Sequence, residues 1–289
     1  MTATPPAGLV WLQELEGGGA WLEALPELVA GCAADWQLEL GEPFADAHVS
    51  YAVAARLPDG TQAVLKVQFP DRESEHEAAA LAHWDGDGAV RLLAHDPERH
   101  ALLLERCLPG TQLDELGQDG ALDVLVGLLP RLWKPAGAPF RPLAEEAAWW
   151  AESLEDTWER AGRTFDDALL ATSLEALRTL PASQGEAVLL HQDLHAQNVL
   201  RAQREPWLVI DPKPLAGERE FGVAPIVRSL ELGHSRRHVV GRLDRLTSEL
   251  ALDRERARLW SIAQTIAWSF GSRYRQHVET ARWLLEAED

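Results

Sequence analysis

The chain is predicted to be α+β and two-lobed, with a small sheet lobe first and a larger, mostly helical lobe after it. Three observations predict this. Strand signals crowd residues 36–105, helical periodicity dominates residues 112–181 and returns from 223 onward, and Cys107-Leu108-Pro109-Gly110 marks the change of character. The expected boundaries are 1–105 for the first lobe, 106–110 for a hinge and 111–289 for the second lobe.

Residues 11–15 and 21–34 are amphipathic and predict two short helices, with Gly17-Gly18-Gly19 breaking between them. A strand starts in 36–40. Residues 48–57 alternate and carry Val and Tyr, Pro58-Asp59-Gly60 makes a turn, and 62–69 form the return strand. Pro70 stops that strand. The Ala- and Glu-rich run 72–84 predicts the one main helix of this lobe. Residues 89–94 and 101–105 give two more strands joined through Asp96-Pro97-Glu98-Arg99. The helical pattern of 112–181 is interrupted at Pro130, Pro135 and Pro142. Strand signals return over 187–210, and the clearest later helices are 260–270 and 274–285.

A length of 289 residues, 46% apolar and 25% charged, is that of a globular protein with one large core or two medium ones. The two cysteines, Cys32 and Cys107, cannot build a disulfide framework, and no Cys/His cluster has zinc spacing; a reducing cytoplasm is the expected compartment. No signal peptide is expected from the N-terminal residues, and no apolar run reaches the roughly 20 residues needed to span a bilayer. The net charge of −19 argues against nucleic acid and anionic membrane as partners; on charge alone it reads first as solubility, and it is compatible with a cationic small molecule. A monomer is expected.

The chemistry is concentrated in Leu189-Leu190-His191-Gln192-Asp193-Leu194-His195-Ala196-Gln197-Asn198-Val199-Leu200 and Trp207-Leu208-Val209-Ile210-Asp211. An Asp lies five residues before an Asn, and a second Asp follows a further apolar run. Phosphoryl transfer of the kinase type needs that set: one Asp to orient the acceptor hydroxyl, an Asn and another Asp to hold magnesium on the nucleotide phosphates. Asp193 is the candidate catalytic base, against the alternative of a loop Asp capping its own backbone. Asn198 and Asp211 are the Mg2+ candidates, because magnesium takes oxygen ligands and only one or two from protein, against the alternative of a turn Asn and a strand-end Asp fixing a hairpin. ATP is the expected co-substrate, in a cleft between the lobes.

Lys66 interrupts the apolar strand Ala63-Val64-Leu65-Lys66-Val67, so it should find a buried acid and hold the α- and β-phosphates; the alternative is an edge-strand lysine guarding against aggregation. Glu77 is the expected partner, then Glu73, one helical turn before it. His191 should support the loop. His195 either donates to the γ-phosphate as a catalytic group or is structural. Lys213, close after Asp211 and between two prolines, is read as a solvated loop lysine, with an approach to phosphate or substrate as the alternative. The adenine should pair with backbone around Glu105-Arg106-Cys107, which places Glu105 and Cys107 among the cofactor contacts.

With Glu205-Pro206-Trp207-Leu208-Val209-Ile210-Asp211-Pro212-Lys213-Pro214, Gly88-Ala89-Val90-Arg91-Leu92-Leu93-Ala94-His95-Asp96 and Leu102-Leu103-Leu104-Glu105-Arg106-Cys107-Leu108-Pro109-Gly110, the motif resembles the aminoglycoside phosphotransferase superfamily, in its streptomycin 6-kinase and hydroxyurea phosphotransferase branch. The resemblance runs from Leu25 to Trp283. It implies a protein-kinase-like fold, ATP with magnesium, and phosphorylation of a hydroxyl on a cationic antibiotic, which inactivates it and confers resistance. Other acceptors of this class are a tuberactinomycin peptide, hydroxyurea, or a metabolic amino alcohol or sugar; a nucleotide-binding scaffold is the non-enzymatic alternative.

Two departures stand out. No G-x-G-x-x-G joins the first strands; residues 41–50 take its place, with Ser50 as a candidate phosphate donor. The segment Glu220-Phe221-Gly222-Val223 also differs from the streptomycin-type pattern. For a polycationic acceptor, Glu145, Glu146, Glu152, Glu155, Asp156 and Glu159 supply carboxylates, although their spacing covers more than one helix face.

Overall fold

The computed structural model describes residues 7–45, 49–270 and 274–287. Contacts divide the chain into two compact units, Met1–Gly110 with Ala202–Arg204, and Thr111–Arg201 with Glu205–Asp289.

The first unit opens with a 3-10 turn, Ala7–Glu14, and helix α1 (Gly18–Asp35). The glycine run does not separate two helices so much as start the second. Gly17 takes φ 77°, and Gly18 is already helical. A Cβ on Gly18 would lie 1.7 Å from the Leu12 carbonyl oxygen, so only glycine lets the preceding turn fold back there. Trp21, Leu22, Leu25, Val29 and Cys32 of α1 then share one core with Tyr51, Val53, Leu65, Val67 and Leu103 of the sheet.

That sheet has the order β1 (Glu39–Pro43), β2 (Ser50–Arg56), β3 (Gln62–Gln68), β5 (Ala101–Glu105), β4 (Leu92–Asp96). Every neighbouring pair is antiparallel. The β2–β3 turn falls where Pro58-Asp59-Gly60 predicts it, with Gly60 at φ 89°. Helix α2 is Glu77–Trp84, shorter than the expected 72–84. The reason is local: the Asp71 carboxylate accepts the Glu73 and Ser74 N–H groups at 2.8 and 2.7 Å, an Asx turn that competes with helix. Strand β4 starts three residues later than expected because Arg91 N–H goes to the Glu105 carboxylate instead of a ladder.

In the second unit, α3 (Gly117–Leu132) carries Pro130 in its last turn instead of breaking there. It is followed by β6 (Arg141–Pro142), α4 (Leu143–Arg160) and α5 (Asp167–Thr179). Strand β7 (Val188–Leu190) leads into the motif loop, and β8 (Val199–Arg201) pairs with β9 (Trp207–Val209). Strand β10 (Leu215–Gly217), absent from the sequence reading, runs between β6 and β7. Helices α6 (Arg219–Gly222), α7 (Ala224–Val227), α8 (Arg236–Glu249), α9 (Arg254–Ala267) and α10 (Tyr274–Leu285) complete the unit. Helix α9 buries Ala257, Trp260, Ile262, Ala263 and Ile266, and packs on α5, α7 and α10. Among the described residues no helix is long and apolar enough to cross a membrane.

The close approach at Gly18 predicts that Gly18→Ala lowers stability by about 1–3 kcal/mol, the usual range for overpacking. Urea unfolding of the variant against the parent measures it; an unchanged midpoint would refute the contact.

Candidate active site

In the first unit, the candidate lysine stands on an interior strand. Lys66 of β3 lies in register between Ala52 of β2 and Leu102 of β5, so it is no edge lysine. Its Nζ donates to Glu77 Oε2 at 2.6 Å, and both side chains are buried. Gln68 Nε2 donates to the same oxygen at 2.6 Å. Gln68 was not foreseen, although a period of two puts it on the Lys66 face of the strand. The Asx turn at Asp71 leaves Glu73 outside the helix, so the turn-below geometry that made it the second choice does not exist.

Ser50 begins β2 opposite Gln68, while residues 46–48 of the expected covering loop lie outside the described set. Glu105 does not offer its amide to a base. That N–H donates to Arg91 O at 2.9 Å, and its carboxylate is gripped by Arg204, Nε and a terminal nitrogen both reaching it at 2.9 Å. Cys107 is buried, and burial, with help from the Glu105 carboxylate, pushes its thiol up to about 12 against the opposing Arg204.

In the second unit, the loop between β7 and β8 brings together the remaining candidates. His191 Nε2 lies 2.8 Å from Ile210 O, which can only accept, so Nε2 carries the proton. Burial pushes this ring down to about 4, against the Ile210 carbonyl and the Asp193 and Asp211 carboxylates, which raise it. It is neutral at pH 7. Gln192 and Asp211 both hold left-handed backbone, φ 62° and 58°, a conformation that non-glycine residues adopt infrequently. Gln264 of α9 steadies the first of these by donating to Gln192 O at 2.9 Å.

Asp193 receives Lys213 Nζ on Oδ2 at 2.6 Å and an Arg228 terminal nitrogen on Oδ1 at 3.1 Å. Lys213 is therefore not the solvated lysine expected from its flanking prolines. Burial alone would raise the Asp193 carboxyl; Lys213 and Arg228, and then His195, outweigh it and hold the group below the usual carboxylate range. His195 presents Nδ1 to Glu231 Oε1 at 3.1 Å. Glu231 also accepts the Ala196 N–H and the Ser229 hydroxyl. Burial pushes Glu231 up, but His195 and Ser229 carry it down to about 2.

Asn198 donates from Nδ2 to Asp193 O at 2.9 Å, which leaves its side-chain oxygen as the acceptor end. Ile210 N–H donates to Asn198 O at 2.9 Å, extending the β8–β9 register by one pair. Asn198 and Asp211 thus emerge at the same end of that strand pair. One carboxamide oxygen and one carboxylate suit magnesium, which draws its other ligands from phosphate and water. Among the described residues no cluster of three or more His, Cys, Asp or Glu could hold a metal without such help.

The acids of α4 separate. Glu146 is buried on Arg141 at 3.1 Å, whereas Glu145, Glu152, Glu155, Asp156 and Glu159 are exposed.

Residues 35–274 match the model of the aminoglycoside/hydroxyurea antibiotic resistance kinases, and the chain belongs to that family. It is an ATP-dependent small-molecule kinase. The streptomycin 6-kinase of Streptomyces griseus is 39% identical over 258 residues, 87% of this chain and 84% of its own. The hydroxyurea phosphotransferase of Kitasatospora aureofaciens is 39% identical over 270 residues, 90% of this chain and 78% of its own. Among solved structures, a choline kinase from Streptococcus pneumoniae superposes with a TM-score of 0.64 at 14% identity, covering 91% of this chain and 99% of that one. An aminoglycoside phosphotransferase, APH(4)-Ia, in a ternary complex with ADP and hygromycin B, gives 0.60 at 14% identity, covering 89% and 95%. These structures establish the two-lobed, protein-kinase-like α+β fold.

His191 makes stability pH-dependent with a definite sign. The unfolded ring protonates near 6.5 and the folded ring only near 4, so the unfolded state binds more protons between those values and stability falls as pH drops. His191→Gln should remove about 3 kcal/mol of the loss between pH 7 and pH 4. Urea unfolding at both pH values tests this; parallel losses in the two proteins would rule it out.

Proposed function

We propose that this kinase phosphorylates a hydroxyl of a streptomycin-like cationic antibiotic, inactivating it. The observation that carries the reading is the joint placement of Asp193, Asn198 and Asp211 by one loop and one strand pair. The 39% identity to a streptomycin 6-kinase supports the acceptor class.

In this reading Asp193 accepts a hydrogen bond from the acceptor hydroxyl and directs its oxygen at the γ-phosphorus. The new O–P bond forms as the bond from the γ-phosphorus to the β–γ bridging oxygen breaks, ADP leaves, and the hydroxyl proton passes to Asp193. Lys66, oriented by Glu77 and Gln68, neutralises the α- and β-phosphates. Asn198 and Asp211 would hold magnesium, whose chemistry when bound is to offset charge on the β- and γ-phosphates. His191 stays neutral and keeps the loop seated, and His195 is a loop support through Glu231.

Hydroxyurea is the second reading. It is favoured by an equally identical relative that spans 90% of this chain, and by the two cations beside Asp193, which a neutral acceptor approaches without repulsion.

A coupled ADP-release assay with streptomycin, viomycin and hydroxyurea separates these. Streptomycin-dependent ADP release is expected, with Asp193→Ala lowering kcat by about 10²- to 10⁴-fold. ADP release with hydroxyurea alone would transfer the assignment to the second reading, and no release with any of the three would reject both.

A further inference from the structure

The segment between α7 and α8 touches the motif loop at two separate points. Arg228 supplies the cation on Asp193 Oδ1, complementing Lys213 on Oδ2, so each carboxylate oxygen has its own positive partner. Three residues on, Glu231 accepts the Ala196 N–H at 3.0 Å and holds His195 Nδ1 at 3.1 Å. The two cations share one platform. The Arg228 guanidinium lies 4.6 Å from the centre of the Trp268 ring and Lys213 Nζ lies 5.4 Å from it. Two like charges this close repel; the indole face and the carboxylate between them offset that.

The segment is itself fastened from below by a fully buried charge. Arg242 of α8 donates to Val227 O at 2.9 and 3.2 Å, to Leu232 O at 3.1 Å and to Gly233 O at 2.9 Å. It also reaches Gln118 Oε1 of α3 at 3.0 Å. Backbone carbonyls at both ends of residues 227–233 therefore close on one guanidinium. Burying an arginine is expensive, and an apolar side chain would fill the same volume at less cost to stability. What the charge provides is a single conformation for the loop that carries Arg228 and Glu231.

We propose that Arg228 and Glu231 are positioning residues, a clasp fixed by Arg242 and levelled on Trp268, which aims the Asp193 carboxylate at the acceptor hydroxyl. The proposal rests on the assignment of Asp193 made above. The clasp also restrains the loop backbone between Asp193 and Asn198 at Ala196, so both functional side chains are referred to the same segment. Angular error at a reacting oxygen is costly, with displacements of about 1 Å lowering rates about a hundredfold.

The test compares the parent with Arg228→Ala, Arg228→Lys and Glu231→Gln, with thermal midpoints as the folding control. ADP release is followed with an acceptor the parent turns over and, separately, into water with no acceptor. Arg228→Ala should lose about 10- to 100-fold in kcat with the KM for ATP unchanged, and millimolar guanidine should restore much of the loss. Arg228→Lys and Glu231→Gln should lose less, and combining Arg228→Ala with Glu231→Gln should cost less than the product of the two, because they act through one clasp. A kcat for Arg228→Ala within about twofold of the parent overturns the proposal. So does a loss that guanidine leaves untouched while the KM for ATP rises, which marks a merely structural arginine. Should Arg228→Ala fail to fold, Arg228→Lys and Glu231→Gln decide the matter by the same kcat criterion. If no acceptor is phosphorylated, the assignment of function fails, while the rate into water still reads the clasp: unchanged in the variants, it is overturned; lowered and restored by guanidine, it stands.

Discussion

Three hydrogen bonds tie the loop after β7 to the segment after β9, and the candidate site of the second unit depends on them. His191 Nε2 holds Ile210 O, Ile210 N–H holds Asn198 O, and Lys213 N–H holds His191 O at 3.0 Å. Together they cross-link 191–198 to 210–213 independently of any side chain that would meet substrate. The two left-handed residues, Gln192 and Asp211, sit beside these anchors. Relaxing either backbone would break the cross-link, so the strain is held by bonds that a turn closed by nothing else would lack.

Among the described residues, the buried charges named here follow a single rule: each is met by a partner of definite geometry. Lys66 meets Glu77, and the same Glu77 oxygen is completed by Gln68. Arg141 meets Glu146 at the start of α4. Glu218, next to β10, takes Arg256 at 2.6 Å and the Trp260 indole N–H from α9. Arg242 alone of these is satisfied by carbonyl and carboxamide oxygens. Leaving any one of these groups single would cost about 3–5 kcal/mol, a large share of a typical domain's stability. These pairs are weak evidence for stability and better evidence for specified geometry: they fix where the β3 lysine, the α4 entry and the loop after α7 must lie.

The sequence carried the sheet of the first unit and the motif loop plainly, because both are local. Alternating apolar positions define β2 and β3, the Pro58-Asp59-Gly60 turn sets their register, and the Asp193–Asn198 spacing lies within one loop. Lys66 was legible for the opposite reason, as a charge where the pattern demanded an apolar residue. What escaped was whatever depends on distant partners. Lys213 between two prolines looks solvated until the fold brings Asp193 to it, twenty residues away. Arg228 follows the short helix α7 and Arg242 lies within α8, and nothing in their sequence neighbourhood announces a carboxylate or a ring of carbonyls. Strand β10 has three residues, too few for a period. The start of α2 was misplaced because Asp71 captures the amides that the Ala- and Glu-rich composition assigned to a helix. The use of the Glu105 amide by Arg91 was equally invisible, since it depends on how β4 and β5 meet.

The electrostatics around Asp193 bear on the kind of help it can give. Two cations keep it ionised, which makes it an indifferent sink for a proton in the ground state. For a mechanism in which the hydroxyl must be deprotonated before attack, that would be a poor arrangement. Phosphoryl transfer proceeds through a loose transition state in most analyses, where the bond to the leaving group is largely broken before the acceptor oxygen acquires much bond order. The hydroxyl then loses its proton late, when its acidity has risen, and what matters earlier is its direction. A carboxylate that is charged in the ground state and held by two cations on one indole is suited to that task. In the proposed reaction Asp193 works first as an oriented acceptor and only afterwards as a base, and the positive charge that weakens its basicity is the same charge that fixes its aim.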